Sequence, residues 1–258
     1  MTTRFAAVTV LGGQGGEVPR PHTTPVAAVR HAGRWWFTTS RGAAKVTFLR
    51  DEPVASVTVA DRTGWTTTTG DVTILDPADP LALVGRPAAL SAWSAALGLL
   101  GAYARDVAGY LTQLHTIPAA WAPHQRVLVA VEEQIVEHAV EPEVRPPDAS
   151  MCIAGCSDGH RPLAVPGWFD GDELRIAATA RPISADDGVA IMLDTALLDD
   201  DPARPTDQRG VLVRGRLLDT DAPGQVHDTI AVVARSITTW NGFTTETRRF
   251  RTDPARAA

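Results

Sequence analysis

This sequence of 258 residues contains very little lysine and cysteine. Lys45 is the one lysine among its 24 basic residues, and the net charge of −6 argues against the basic surface of a general nucleic-acid-binding protein. The two cysteines, Cys152 and Cys156, have no second pair with which to build a metal site or a disulfide framework. We expect both to be small buried thiols.

Long apolar runs are also missing. No run reaches the roughly 18 residues that span a bilayer, because the longest candidate, residues 88–114, is interrupted by Arg105 and Asp106. The first residues lack the apolar segment and the small-residue cleavage site of a signal peptide. We therefore expect a cytoplasmic protein that acts on a small molecule and binds neither membranes nor nucleic acid.

Short β-branched and apolar runs, separated by glycine and proline, make up most of the chain. Such runs are typical of a β-barrel or a β-sandwich. Their order and spacing in the first half recur in the second half at low identity, which predicts a tandem duplication. We expect a mainly β protein whose two halves pack together as the subunits of a two-fold dimer would.

Proline-rich segments set the predicted domain boundaries. The first half covers residues 1–140, a linker with three prolines covers 141–149, the second half covers 150–251, and a tail covers 252–258. Within the first half, apolar residues recur every three or four positions from Pro87 to Leu114, which indicates helix. Because the second half has no equivalent, residues 87–115 are interpreted as a helical insertion.

One segment of the first half carries groups suited to phosphate. A predicted strand ends in Thr38, Thr39 and Ser40, a turn with Arg41 follows, and a predicted short helix places Lys45 near its start. Hydroxyl groups donate hydrogen bonds, and a helix N-terminus favours negative charge. Arginine can hold two oxygens at once, whereas lysine acts as a compact point charge. The alternative is that both cations are ordinary solvated charges at a helix start.

The run Phe37-Thr38-Thr39-Ser40-Arg41, followed by Lys45, Leu49-Arg50 and Pro53-Val54, resembles the flavin-binding split-barrel superfamily. That superfamily includes pyridoxamine 5'-phosphate oxidase-like proteins and deazaflavin-dependent reductases. Residues 161–174 are similar to its opening hairpin, and residues 237–243 are similar to its closing strand. The resemblance implies two tandem split β-barrel halves that form a pseudo-dimer, either monomeric or paired again as a homodimer.

The resemblance also implies a cofactor, which is FMN, with a deazaflavin of the F420 type as the alternative and haem as a less favoured one. The implied cofactor-binding residues are Thr38, Thr39, Ser40, Arg41 and Lys45 for the phosphate, and Val26, Ala27 and Ala28 for the ring. The equivalent run of the second half, residues 177–187, has no lysine and carries two acids that would repel phosphate. We therefore expect one site per chain or none.

The implied function is that of a flavoprotein oxidoreductase, which moves hydride between a flavin or deazaflavin and a small organic substrate. In such proteins the cofactor supplies the chemistry while the protein binds, orients and excludes water. The sequence indicates no catalytic side chain and no metal ligand set. The alternative function is that of a non-catalytic split-barrel protein that has lost its flavin, or that binds haem or another ligand.

Overall fold

The structure is a computed structural model, which describes residues 2–13, 20–61, 64–79, 87–104, 107–108, 119, 122–139, 150–170, 173–176, 188–194, 208–217, 229–230, 232–242 and 244–250. Strands dominate these residues, so the predicted mainly β class is confirmed. In the described part of the chain, no helix has the length and apolar character that crossing a membrane requires.

The described residues of the first half form seven strands and two α-helices, in the order β1 (Thr2–Gly12), β2 (Arg20–His31), β3 (Arg34–Ser40), α1 (Ala44–Asp51), β4 (Val54–Asp61), β5 (Gly64–Leu75), α2 (Pro87–Ala102), β6 (Arg126–Glu132) and β7 (Ile135–Ala139). Its strands pair antiparallel in the order β4-β1-β2-β3-β6-β5, and β4 also pairs with β5. These pairings close a six-stranded barrel, to which β7 adds along β5.

Where the structure describes the second half, it shows eight strands, namely β8 (Ser150–Ser157), β9 (Pro162–Asp170), β10 (Glu173–Ile176), β11 (Gly188–Asp194), β12 (Arg209–Leu217), β13 (Thr229–Ile230), β14 (Val232–Asn241) and β15 (Thr244–Arg249). They form one antiparallel sheet in the order β13-β10-β9-β8-β11-β12-β14-β15. The run β11-β8-β9-β10-β13 repeats the run β4-β1-β2-β3-β6 of the first half. The two sheets are thus consistent with two split-barrel halves, while duplication as their origin stays a prediction.

Alternation along the strands decides what fills the barrel. The inward faces of β1, β2, β3, β4 and β6 carry buried valine, alanine and aromatic side chains, and α1 adds two more from one end. From β5, the partly buried Val72 and Ile74 pack against them. This interior cluster consists of Ala6, Val8, Val10, Val26, Ala28, Trp35, Phe37, Val46, Leu49, Ala55, Val57, Val59, Val127, Val129 and Val131. Helix α1 therefore closes one end of the barrel.

Helix α2 packs on the outer face of β2, β3 and β6. Its side chains Ala95 and Leu99, with Tyr103 just beyond its end, bury Trp36 and Val29 of the barrel wall. The predicted helical insertion is thus seen as helix over residues 87–102, and one face of this helix covers the barrel. Residues 105–106 and 109–115 of the prediction lie outside the described residues. Its opposite side exposes Trp93, Leu97 and Leu100.

A different outer face, formed by β1, β2, β4 and β5, packs on the second sheet. Ala7 and Trp65 join a cluster with Ile153, Met192 and Leu212 of the second half. Hydroxyl groups add polar contacts here: Thr67 Oγ1 donates to the carbonyl oxygen of Ala164 at 2.8 Å, and Ser56 Oγ donates to that of Pro162. The two halves are therefore joined by a mixed apolar and hydrogen-bonded interface.

Candidate functional site

The segment from β3 to α1 is held in place by backbone hydrogen bonds. The Arg41 N–H donates to the carbonyl oxygen of Gln125 at 2.7 Å, and the Ala43 N–H donates to that of Ser40 at 3.0 Å. Helix α1 then begins at Ala44 and turns Val46 into the barrel. The predicted strand, turn and helix are confirmed, and Lys45 lies in the first turn of the helix as expected.

Lys45 is buried, with 7% of its surface exposed. Its Nζ lies 6.0 Å from the centre of the Phe37 ring, and among the described residues it makes no hydrogen bond or ion pair. Burial, reinforced by repulsion from Arg126, lowers the pKa of Lys45 from 10.5 to about 7. Lys45 is therefore not a solvated surface charge, which was the alternative interpretation.

His22 of the first half lies near Lys45 and contacts Arg214 of the second half. Arg214, on β12, donates from Nη2 to His22 Nδ1 on β2 at 2.6 Å. Burial, followed by the charges of Arg214 and Lys45, lowers the pKa of His22 to about 3. The imidazole is therefore neutral at physiological pH. Burial also lowers the pKa of Arg214.

Two hydroxyl residues each lie next to one basic side chain: Thr24 next to His22 along β2, and Thr38 next to Arg126. Thr24 stands two residues from His22 on the face of β2 that turns into the barrel, and its Oγ1 is buried without a hydrogen-bond partner among the described residues. Thr38 accepts hydrogen bonds from Arg126, at 2.9 Å to Oγ1 and 2.8 Å to its carbonyl oxygen. We name the set of His22, Lys45, Arg126 and Arg214 the basic cluster.

Arg41 is held by a carboxylate instead of pointing freely into the cluster. Its Nε and Nη2 each donate to one oxygen of Asp76 at 2.7 Å, and its Nη1 donates to Gln125 at 3.1 Å. The hydrogen bonds from Arg41 lower the pKa of the Asp76 carboxyl. Arg41 thus fixes the turn before α1, and its contact with a ligand phosphate stays a prediction.

The three hydroxyl residues at the end of β3 do not share one face. Thr39 is buried on the face that carries Trp35 and Phe37 into the barrel, whereas Thr38 and Ser40 alternate to the outer face. Thr39 therefore lies on the same face of β3 as Phe37, whose ring is the one near Lys45 Nζ. A single ligand atom would not meet all three hydroxyls at once.

The strand residues predicted to contact a ring are covered. Val26 and Ala28 belong to the barrel interior, and Ala27 packs under α2. Tyr103 completes the cover, because its hydroxyl donates to the Ala28 carbonyl oxygen at 2.9 Å and accepts from the Ala28 N–H at 3.2 Å. The role of these three residues as ring contacts stays a prediction, and a ring on the outer face would need α2 to move.

Sequence reasoning missed His22, Arg126 and Arg214. Each is an isolated basic residue in a strand, without a motif around it. A local signal did exist for Arg214: it precedes Gly215 at a β-bulge in the pairing of β12 with β14. A β-bulge changes the direction of a side chain. An Arg-Gly pair inside a strand therefore indicates an arginine that departs from the regular alternation of the strand.

The second-half run with Asp186 and Asp187, predicted to be a degenerate site, lies outside the described residues. Cys152 and Cys156 are both buried in the core of the second half, and neither forms a disulfide within the described residues. Burial raises the pKa of the Cys152 thiol to about 12, as expected for an inert core residue.

No protein-family model matches the sequence, and no curated protein matches it significantly. Solved structures with a similar fold include General Stress Protein 26 from Bacillus anthracis, at 12% identity over 56% of this chain and 91% of that one, with a TM-score of 0.33. A pyridoxamine 5'-phosphate oxidase-related, FMN-binding protein from Nostoc punctiforme is 15% identical over 65% and 87%, with a TM-score of 0.37. An F420 reductase is 15% identical over 52% and 88%, with a TM-score of 0.33. At identities and TM-scores this low, the similarity carries no information about function.

Proposed function

We propose that the protein binds a flavin-type cofactor by its phosphate at Lys45 and acts as an oxidoreductase on a small organic substrate. The observation that carries the proposal is the buried Lys45 ammonium, which has no anionic partner in the described part of the chain. An isolated buried charge costs several kcal/mol unless something compensates it. A phosphate group would supply the missing negative charge.

The neighbours of Lys45 suit the same ligand. Arg126 adds positive charge near Lys45, Arg214 adds positive charge at His22, and the buried Thr24 hydroxyl is available as a donor. Such a cluster favours a multiply charged anion over water, because charge-assisted hydrogen bonds are about twice as strong as neutral ones. The donor set therefore fits a phosphate, and it offers no carboxylate that would repel one.

The proposed roles of the cofactor and of the surrounding residues follow from these positions. A bound flavin or deazaflavin would supply hydride-transfer chemistry, which no side chain of the described site provides. Lys45 would hold the phosphate, with Thr39 on the same side of β3. The Arg41–Asp76 ion pair fixes the turn that presents Lys45, and α2 excludes water from the strands beneath it.

A second candidate is favoured by the position of α2. This helix and Tyr103 cover Ala27 and Ala28, which leaves no room for a flavin ring on that face. The second candidate is therefore a non-catalytic barrel that binds only a small anionic ligand. Absorption spectra of the purified protein distinguish the flavoprotein from the non-catalytic barrel. A bound flavin makes the protein yellow, whereas a Soret band would indicate haem instead. A colourless protein must also be titrated, because a weakly held deazaflavin washes out.

FMN and riboflavin differ only in the phosphate, so the pair tests the site directly. We expect wild-type protein to bind FMN more tightly than riboflavin, measured by quenching of flavin fluorescence. Lys45→Met removes the charge but keeps a side chain of similar length, and should cost about 1.5–3 kcal/mol of FMN affinity. The same titration with an F420-type deazaflavin decides between the two cofactor classes.

Arg50→Met is the matched control, because Arg50 lies on the same helix and is exposed. It removes an equal charge without entering the site, so its FMN affinity should stay within about twofold of wild type. Equal affinities of the wild-type protein for FMN and riboflavin, together with no binding of deazaflavin, would refute the proposal.

A further inference from the structure

Arg214 has no part in the sequence motif, yet from the other half of the chain it contacts His22, whose pKa the charge of Lys45 also lowers. Its contact with His22 crosses 192 positions of sequence and joins β12 to β2. Among the described residues it has no carboxylate partner, although it is partly buried. A desolvated guanidinium held by a neutral imidazole retains unused N–H donors.

The local backbone explains why Arg214 points here. The pairing of β12 with β14 shifts register between Arg214 and Gly215, which is a β-bulge. Gly215 is required next to it, because a Cβ at that position would lie 2.3 Å from the carbonyl oxygen of Val233. The bulge is thus built into the strand.

His22 fixes the orientation of Arg214. Arginine can only donate, so the Nδ1 atom of His22 must be the acceptor and carry no proton. The lowered pKa keeps the ring neutral, which places the remaining proton on Nε2. His22 therefore anchors the guanidinium through one nitrogen and presents an N–H donor through the other.

We propose that Arg214 is a second phosphate-binding residue of the Lys45 site, so that both halves of the chain hold the anionic group of the ligand. This inference rests on the proposed function and extends it. It assigns the ligand to the class of doubly charged phosphomonoesters or larger polyanions, which can engage two separated cations. His22 is a positioning residue between them.

FMN is the probe, and Arg214→Gln is the test variant. Glutamine keeps a donor toward His22 but removes the charge, so the dissociation constant for FMN should rise about tenfold or more. Binding of riboflavin, which has no phosphate, should stay unchanged. Arg216→Gln is the control, because Arg216 lies two residues along the same strand and is exposed.

The outcomes separate the inference from the proposed function. If Lys45→Met loses FMN affinity while Arg214→Gln binds like wild type, the role of Arg214 is overturned and the phosphate site at Lys45 stands. If Lys45→Met also binds like wild type, the proposed function fails as well. Should Arg214→Gln not fold, Arg214→Met removes the same charge while filling a similar volume, and the same two results decide.

Discussion

Lys45→Met should make the protein more stable at neutral and lower pH. Replacing a buried polar residue usually costs stability, but this residue is a cation that burial penalises without a compensating anion in the described structure. Methionine fills a comparable volume and carries no charge. The free energy of unfolding should therefore increase, which is the opposite of the usual result of a core substitution.

The magnitude follows from the pKa of Lys45. This pKa falls from 10.5 to about 7 on folding. At 1.36 kcal/mol per pKa unit, burial of the charged lysine therefore lowers the free energy of unfolding by at most about 5 kcal/mol. Between about pH 7 and 10.5 the unfolded chain binds this proton and the folded chain does not. Stability of the wild type should therefore rise with pH across that window, and the advantage of Lys45→Met should shrink in parallel.

Two measurements check this prediction. Denaturant unfolding of both proteins between pH 6 and 10 gives the stability difference at each pH. Because Lys45 is the only lysine, biosynthetic labelling with carbon-13 lysine marks one side chain, and its resonance reports the pKa in the folded protein. A folded-state pKa above about 9.5, with no gain in stability for Lys45→Met, would refute the reasoning.

The remaining predictions concern packing. Gly70→Ala should lower the free energy of unfolding by about 3 kcal/mol or more, because the added Cβ would lie 1.7 Å from the Glu132 carbonyl oxygen. The control Gly101→Ala adds a Cβ in open space on α2 and should raise the free energy of unfolding by up to about 1 kcal/mol. Equal effects of the two substitutions in denaturant unfolding would contradict this. Cys152 and Cys156 should react with Ellman's reagent only after unfolding, so titration of two thiols in the native protein would contradict their burial. Tyr103→Phe should lower the free energy of unfolding by about 1–3 kcal/mol, because the Ala28 backbone loses both hydrogen bonds with the Tyr103 hydroxyl. An unchanged free energy of unfolding would contradict this.

Local patterns were sufficient to predict the elements around the candidate site. The alternation of residues 34–39 and the apolar spacing after Arg41 indicate a strand and a helix, which the structure shows as β3 and α1. These signals come from side chains close in sequence, so they do not depend on the rest of the fold. The position of Lys45 at the helix start could be predicted for the same reason.

Pro21 and Pro25 both lie inside β2, although proline is normally depleted within strands. The structure continues β2 back to Arg20, since both prolines pair with β1 in register. On its other side β2 pairs with β3 only from Ala28 to His31, so the missing proline N–H groups leave no gap in that ladder. Only the tertiary arrangement reveals this tolerance.

The partners of the site residues could not be read from the sequence. Asp76 lies 35 positions from Arg41, and Arg214 lies 192 positions from His22, so no local pattern joins them. A lone arginine in a strand is usually a solvent-exposed residue. The fold of the first half brings Arg41 to Asp76, and the packing of the second sheet on the barrel brings Arg214 to His22. The burial of Lys45 likewise depends on this tertiary arrangement.

A crystal structure of the protein with FMN tests the central claim most directly. The account predicts a phosphate oxygen within about 3 Å of Lys45 Nζ, with Arg214 reaching the same group from β12. A phosphate bound elsewhere, with Lys45 buried against Phe37 and touching no part of the ligand, would contradict it.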